Sequence, residues 1–269
     1  MHIFYIFFSL LTLLFLYMRF EATFLETKKI RLCDNKDSLK VIHLSDIHIN
    51  YLKVSPKKVY KIICKENPDI IIMTGDYIVT HRHIPKFISF VNEIKSNFPI
   101  YCCLGNHDYE AFKKSNDIDG LHNFIKQIQD LGIILLHNDS VIFEKNQKKY
   151  NLIGIGDIRY KKHDLAKAFC KCTEDSYKNI AFTHNPDLIL ELPKGKIDYL
   201  LCGHFHGGQI WLPFQLEFKL LRNEKLCKMG VSKGLHNING INLYINRGLG
   251  NVFFPLRFLS RPEITIFNI

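Results

Sequence analysis

The sequence predicts an α/β fold in which two β-sheets pack on one another and helices flank them, preceded by an apolar helix. Three observations carry that expectation. From residue 40 onward, short apolar runs ending in polar residues alternate with helix-like segments. The first three runs end at Asp46, Asp76 and Asn106, evenly spaced by 30 positions, about one βαβ unit. Beyond residue 130 the runs become shorter and closer together, as expected for a second sheet laid against the first.

The first element is "IFYIFFSLLTLLFLYM", Ile3 to Met18, which carries no charge. As a helix it spans about 24 Å, short of a ~30 Å bilayer core unless Met1, His2 and Phe20 extend it. A cleaved signal peptide would carry basic residues before the run and small residues after it, and neither is clear here. Positive charge follows instead, at Arg19, Lys28, Lys29 and Arg31. By the positive-inside tendency, residues 1–20 are an uncleaved anchor in the inner (cytoplasmic) membrane, with the domain that follows on the cytoplasmic side. The alternative is a buried core helix. Residues 21–39, "ETKKIRLCDNKDSLK" in the main, are expected to be a charged linker, and residues 40–269 one catalytic domain.

Within that domain "LKVIHLSD" is a strand ending at Asp46. "SPKKVYKIICKEN" is a helix with Ser55 at the N-cap and Pro56 at the first helical position. "PDIIIMTGD" is a strand ending at Asp76, residues 84–96 are helical, and "FPIYCCLGNHD" is a strand ending at Asn106 and His107. Later strands are "GIILL", "SVIFE", "YNLIGIGD", "NIAFTHNPD", "IDYLLCGHFH", "INLYIN" and "EITIFNI". Eight cysteines lie scattered, several inside apolar runs, and read as reduced buried thiols of a cytoplasmic domain. A net charge of +10 favours anionic surfaces such as lipid headgroups, although dispersed lysines give the same total. No nucleic-acid module is evident, so no specific nucleic-acid partner is expected.

The strand ends collect Asp46-x-His48, Gly75-Asp76, Gly105-Asn106-His107-Asp108, His184 and Gly203-His204-x-His206. Carboxylate, imidazole and amide groups in this mixture suit manganese, iron or zinc, and they are too many for one tetrahedral ion. Two divalent ions follow, with a bridging carboxylate between them, a pair able to activate water and neutralise a phosphoryl group. His43, His81, His83, His122, His137 and His163 lack this context and read as structural, and Cys202 reads as packing.

Taken in order, these motifs resemble those of the calcineurin-like metallophosphoesterase superfamily, D-x-H, G-D, G-N-H-D/E, H and G-H-x-H, over nearly everything from residue 40 to the end. The resemblance implies a four-layer fold of two mixed sheets flanked by helices. It implies that Asp46, His48 and His206 hold one metal, Asn106, His184 and His204 the other, and that Asp76 bridges. It places His107 over the substrate phosphate as a transition-state stabiliser or acid, with Asp108 as its orienting partner. Protein phosphatases of the superfamily extend the second motif to G-D-x-x-D-R-G, whereas this sequence reads "GDYIVTH". "GHFHGGQ", "NRGLG" and "PLRFLSRPEI", together with the apolar N-terminus, look like the membrane-associated bacterial branch. That branch includes broad phosphodiesterases and the UDP-2,3-diacylglucosamine pyrophosphatases of lipid A synthesis, so a lipid-linked or nucleotide-sugar phosphate is the implied substrate. A nucleotide phosphodiesterase and a non-catalytic scaffold are the alternatives, and the complete ligand set argues against the scaffold.

Two late segments bear on substrate. "WLPFQLEFKLLRNEKLCKMG" fits a helical and a strand period equally, and "NVFFPLRF" adds aromatics beside Arg247, the expected substrate contact. Either these belong to the second sheet's core and a solvated basic face, or they form an apolar, basic rim that rests on anionic lipid.

Overall fold

The computed structural model describes residues 1–33, 38–113 and 117–269. It opens on helix α1 (His2–Glu21), whose 20 residues extend about 30 Å, the thickness of a bilayer's hydrocarbon core. The helix continues past the uncharged run because its last turn accommodates Arg19 and Glu21, of which Glu21 is buried. Its apolar side chains are exposed apart from the half-buried Met18, and by length and composition it can cross a membrane.

The next segment departs from the expected linker. Glu26–Arg31 form strand β1, an edge strand whose residues alternate between half-buried and exposed. Lys29 and Arg31 on its outer face suit an edge that must not pair further. Residues 34–37 of the expected linker lie outside the described residues.

The central elements follow the sequence closely. They are β2 (Lys40–Leu44), α2 (Pro56–Glu66), β3 (Ile70–Thr74), α3 (Ile84–Ile94) and β4 (Ile100–Cys103). Helices α4 (Asn106–Lys113) and α5 (Ile118–Asp130) then lead to β5 (Ile133–Leu135). The second half contributes β6 (Asp139–Lys145), β7 (Lys148–Gly154), α6 (Leu165–Phe169), β8 (Lys178–Phe182) and β9 (Tyr199–Cys202). The ambiguous late segment is helical, forming α7 (Leu216–Leu221) and α8 (Lys225–Lys228). A hairpin of β10 (Gly234–Ile238) and β11 (Ile241–Ile245) precedes the last strand, β12 (Glu263–Asn268).

Two six-stranded mixed sheets result, ordered β1-β12-β2-β3-β4-β5 and β10-β11-β9-β8-β7-β6. The division between them is not simply first half against second. Strand β5 pairs parallel to β4, and β12 returns to the first sheet antiparallel to β2, so the chain's last strand sits inside the first sheet between β1 and β2.

Side-chain alternation builds the layers. Val41, Ile70, Ile72, Tyr101 and Cys103 face the second sheet, where they meet Leu152, Ile180, Phe182 and Leu201 in the inter-sheet core. Ile42, Leu44, Ile71, Met73 and Cys102 face the opposite way, under α2, α3 and α5. Leu200 and Cys202 of β9 face the outer core of the second sheet, so Cys202 is packing, as its place in the sequence implied. All eight cysteines are free thiols, but only Cys102, Cys103, Cys202 and Cys227 are buried, and Cys64 and Cys170 are exposed.

Both sheets deliver polar loops to one edge. Strands β2, β3 and β4 are mutually parallel, as are β8, β9 and β11, so their C-terminal ends emerge together. The loop after β11 is laced to the first sheet, with Leu249 N–H donating to Ser45 O at 2.9 Å and Gly250 N–H to Asp46 O at 2.7 Å. Arg257, fully buried, holds that loop. Its guanidinium donates to the carbonyls of Arg247, Gly248, Gly250 and Ser260 and to the Asn251 side chain. Arg257→Met removes those donors and strands the carbonyls, which should cost about 3–5 kcal/mol. A urea melt should show a lower midpoint with an unchanged slope, and an unchanged midpoint would mean the guanidinium holds nothing.

Candidate metal centre

The polar residues at these strand ends share an unusual backbone. Asp46, His48, Asp76, His204 and His206 have φ of 49, 36, 56, 74 and 53°, the left-handed region that non-glycine residues rarely adopt. Each strand therefore turns sharply as it ends, throwing its side chain toward the cleft between sheets. Glycine supplies the clearance. A Cβ on Gly105 would overlap the Asp76 carboxylate, and one on Gly203 would overlap Asp46 and Ser45.

Ligand-capable atoms converge in three overlapping sets among the described residues: Asp46, His48 and His206; His48, Asp76 and His107; and Asp76, His184 and His204. Asp46 Oδ1 lies 3.1 Å from His206 Nε2, and His206 Nε2 lies 3.1 Å from His48 Nε2. Asp76 Oδ2 lies 3.0 Å from His184 Nε2 and 3.5 Å from His48 Nε2, so this one carboxylate touches both groups. All of these side chains are buried except His107, which is partly exposed.

The electrostatics follow from that burial. Burial alone would raise the carboxyls of Asp46 and Asp76, but His206 beside the first and His184 beside the second hold both well below the usual carboxylate range. Burial pushes the imidazoles of His48 and His206 down and that of His204 to about 3, leaving them neutral. Burial opposes charge on His184 too, yet Asp76 and Asp46 hold it up at about 10. A carboxylate-rich pocket that retains a proton so firmly is one that favours a cation.

The residues present fit metal ions on three counts. His184 Nδ1 donates to Thr74 O at 2.8 Å, directing its other nitrogen inward. His204 is turned the other way, with Nε2 held 2.9 Å from Glu224 Oε1 and Nδ1 facing His184 Nε2 at 3.1 Å. His204 Nδ1 thereby turns toward the proton that Asp76 and Asp46 keep on His184, a place that a metal cation between the two rings would take. Finally, Asn106 Oδ1 is buried without a hydrogen-bond donor among the described residues.

Two expected roles change. Asp108 does not orient His107. Its carboxylate instead accepts backbone N–H bonds from Asp76 (2.9 Å), Tyr77 (2.8 Å), Ile78 (3.1 Å) and Gly105 (2.9 Å), pinning the second and third motifs together. The partner of His107 is Glu110, one helical turn along α4, with Oε2 at 3.2 Å from Nδ1. Its other oxygen accepts from Tyr160 Oη at 2.8 Å. Arg247 is not free to bind substrate, because its buried guanidinium pairs with Glu263 at 2.5 Å and Glu26 at 2.9 Å. Glu26 lies on the strand that was expected to be linker. The guanidinium that reaches the ligand loop is Arg222, which donates to His204 O at 3.0 Å.

Glu110, Glu224 and Arg222 carried no motif, and only their distance from the ligands after folding marks them. Asp157 closes the strand "YNLIGIGD" at the same sheet edge. It is buried, its Oδ2 has no hydrogen-bond donor among the described residues, and a strand-end carboxylate of this kind was a signal available in the sequence. The histidines given structural roles lie outside the three sets, with His43 bonded through Nε2 to Thr74 Oγ1 at 2.8 Å.

Residues 39–208 match the calcineurin-like phosphoesterase family. The chain belongs to that family. Among its relatives, the metallophosphoesterase YkoQ of Bacillus subtilis is 35% identical over 237 residues, covering 87% of this chain and 84% of the relative. Phosphodiesterase YaeI of Escherichia coli is 26% identical over 246 residues, covering 88% and 84% respectively. UDP-2,3-diacylglucosamine pyrophosphatase LpxG of Chlamydia trachomatis is 28% identical over 277 residues, covering 85% and 82%. The protein is therefore a metallophosphoesterase of the bacterial branch, and the family together with the ligand clusters implies divalent metal ions.

Burial alone would lower the His107 pKa, but Asp76 and Glu110 raise it above the ordinary value. A reaction that uses the protonated ring loses activity as pH rises through that pKa. Glu110→Gln removes one raising partner, so the alkaline limb of the kcat/KM profile should move to lower pH by on the order of one unit. An unmoved limb would exclude His107 as the titrating group.

Proposed function

We propose that this chain is a membrane-anchored phosphohydrolase with two divalent ions, cleaving a pyrophosphate or phosphodiester bond at the cytoplasmic membrane surface. The observation that carries the chemistry is the Asp76 carboxylate lying between His48 and His184, which joins two ligand sets into one centre. Asp46, His48 and His206 would hold one ion, and Asn106, His184 and His204 the other, with Asp76 shared. Such a pair supplies Lewis-acid charge toward phosphoryl oxygens and activates water at neutral pH, and manganese is the ion we assign, with iron or zinc compatible with the same donors.

The chain's own residues prepare the rest. Glu110 fixes Nδ1 of His107 and leaves the other ring nitrogen to face substrate, where a protonated imidazole stabilises developing charge or protonates the leaving oxygen. The ring of His107 stands edge-on to His48 at 5.0 Å between centroids, which sets it beside the ligand cluster. Asp108 acts through the backbone, holding Asp76 and Gly105 where their side chain and open face are needed.

For the membrane, α1 is the anchor, and the positive charge at Arg19, Lys28, Lys29 and Arg31 supports a catalytic body on the cytoplasmic side. For the substrate, a lipid-linked nucleotide sugar is the reading we advance, with UDP-2,3-diacylglucosamine as the specific compound. The anchor, the basic balance and the likeness to LpxG support it. Hydrolysis would release UMP and a lipid sugar 1-phosphate. The likeness to YaeI favours a second reading, a membrane phosphodiesterase of broad specificity.

Exhaustive chelation should abolish hydrolysis, and manganese should restore it. Asp76→Asn should lower kcat by at least about 10³, since it weakens both ligand sets, whereas His107→Asn should lower kcat by about 10²–10⁴ with full metal content. Metal-independent turnover would overturn the mechanism, and loss of metal in His107→Asn would make that residue a ligand. The substrate is tested by comparing kcat/KM for UDP-2,3-diacylglucosamine and a small soluble phosphodiester. A strong preference for the lipid supports the first reading, and equal or reversed preference supports the second.

A further inference from the structure

Six of the most exposed large apolar side chains outside α1 stand on two segments: Phe214, Leu220 and Leu221 around α7, and Phe253, Phe254 and Leu259 in the loop before β12. Four of them are at least 74% exposed, well beyond the single scattered apolar residues that any surface carries. The segments are neighbours. Gln209 Nε2 donates to Val252 O and Phe254 O, its Oε1 accepts from Val252 N–H, and Trp211 N–H donates to Phe258 O.

The base of α1 is fastened to the same loop. Glu21, at the helix end, accepts from the backbone N–H groups of Leu259 and Ser260, each at 3.0 Å. Arg257 N–H donates to Met18 O, and the Tyr17 ring meets Phe258 edge-on. The exposed apolar patch is thus continuous with the helix proposed to enter the bilayer. Exposed basic residues border it, namely Lys219, Lys225, Lys228 and Arg261.

The patch also touches the ligand loop from two sides. Ser260 Oγ donates to His206 O at 2.7 Å, and Arg222 donates to His204 O. One hydrogen bond therefore separates each apolar segment from a candidate metal ligand.

We propose that these six residues form a collar that enters the headgroup region of the leaflet crossed by α1, holding the His204–Gln209 loop at the level of lipid phosphates. This rests on the reading of α1 as a membrane anchor. The occupant is an anionic bilayer surface, because apolar side chains ringed by lysine and arginine match acyl chains beneath negative headgroups. Such a collar sinks about 5–10 Å, enough to bring a headgroup phosphate to the site without lifting the lipid from the membrane.

The chain's single tryptophan, Trp211, lies between the two segments and reports the collar directly. The full chain is reconstituted into phosphatidylcholine–phosphatidylglycerol vesicles, with or without bromines on the acyl chains near the headgroup. Trp211 emission should fall in the brominated vesicles. The variant carrying Leu220→Ser, Leu221→Ser, Phe253→Ser and Phe254→Ser should still sediment with vesicles through α1 but lose most of that quenching. Unchanged turnover of a soluble phosphodiester by the variant establishes that it is folded. Wild-type protein that sediments without quenching, or a variant quenched as strongly as wild type, overturns the collar while leaving the anchor intact. Wild-type protein that fails to sediment overturns the anchor reading, and the collar with it.

Discussion

Two carboxylates buried side by side are the constraint on which the rest of this structure depends. Asp46 and Asp76 are essentially inaccessible to solvent, and burying an ionised carboxylate costs several kcal/mol unless hydrogen bonds and opposite charge offset it. Asp46 takes the Ser45 hydroxyl at 2.6 Å and the His204 N–H at 3.1 Å, and Asp76 takes the His107 N–H at 2.8 Å. Imidazoles crowd their remaining lone pairs. Backbone amides, neutral rings and the one proton that His184 keeps do not balance two negative charges, and divalent ions would.

The supporting architecture serves that demand. Left-handed turns at five candidate ligand positions each cost about 1–3 kcal/mol and persist only where neighbours over-determine them. Asp108 supplies one restraint by gathering four amides, and Arg257 another by gathering the carbonyls of the loop that covers Asp46. Gly105 and Gly203 remove the side chains that would otherwise separate the carboxylates from their partners. The fold is stable enough to carry this strain because three apolar layers lie behind it.

Much of the fold and of the ligand cluster was legible because strand ends are local features. An apolar run followed by Asp, Asn or His marks both the strand and the point where its side chain leaves the sheet. Residues acting from elsewhere left no such mark. Glu110 lies on a helix after the third motif, and only the fold shows that it, rather than Asp108, meets His107. Glu26 and Glu263 neutralise Arg247, and the pairing with Glu26 joins residues more than 200 positions apart, which no local pattern encodes. Strand β1 read as linker because an edge strand needs one apolar contact row at most and can carry lysines on its outer face.

The same reasoning connects the site to its surroundings. The helix at the start of the chain ends at Glu21, whose carboxylate caps the loop that contacts His206, so hydrogen bonds link the apolar helix to the loop of candidate ligands. We propose that all of this is organised around a pair of divalent ions sharing Asp76, and electron paramagnetic resonance on the manganese-loaded protein tests that pairing most directly. The account predicts two manganese ions per chain with the spectrum of an exchange-coupled pair. One ion per chain, or two ions giving only isolated six-line signals, would contradict it.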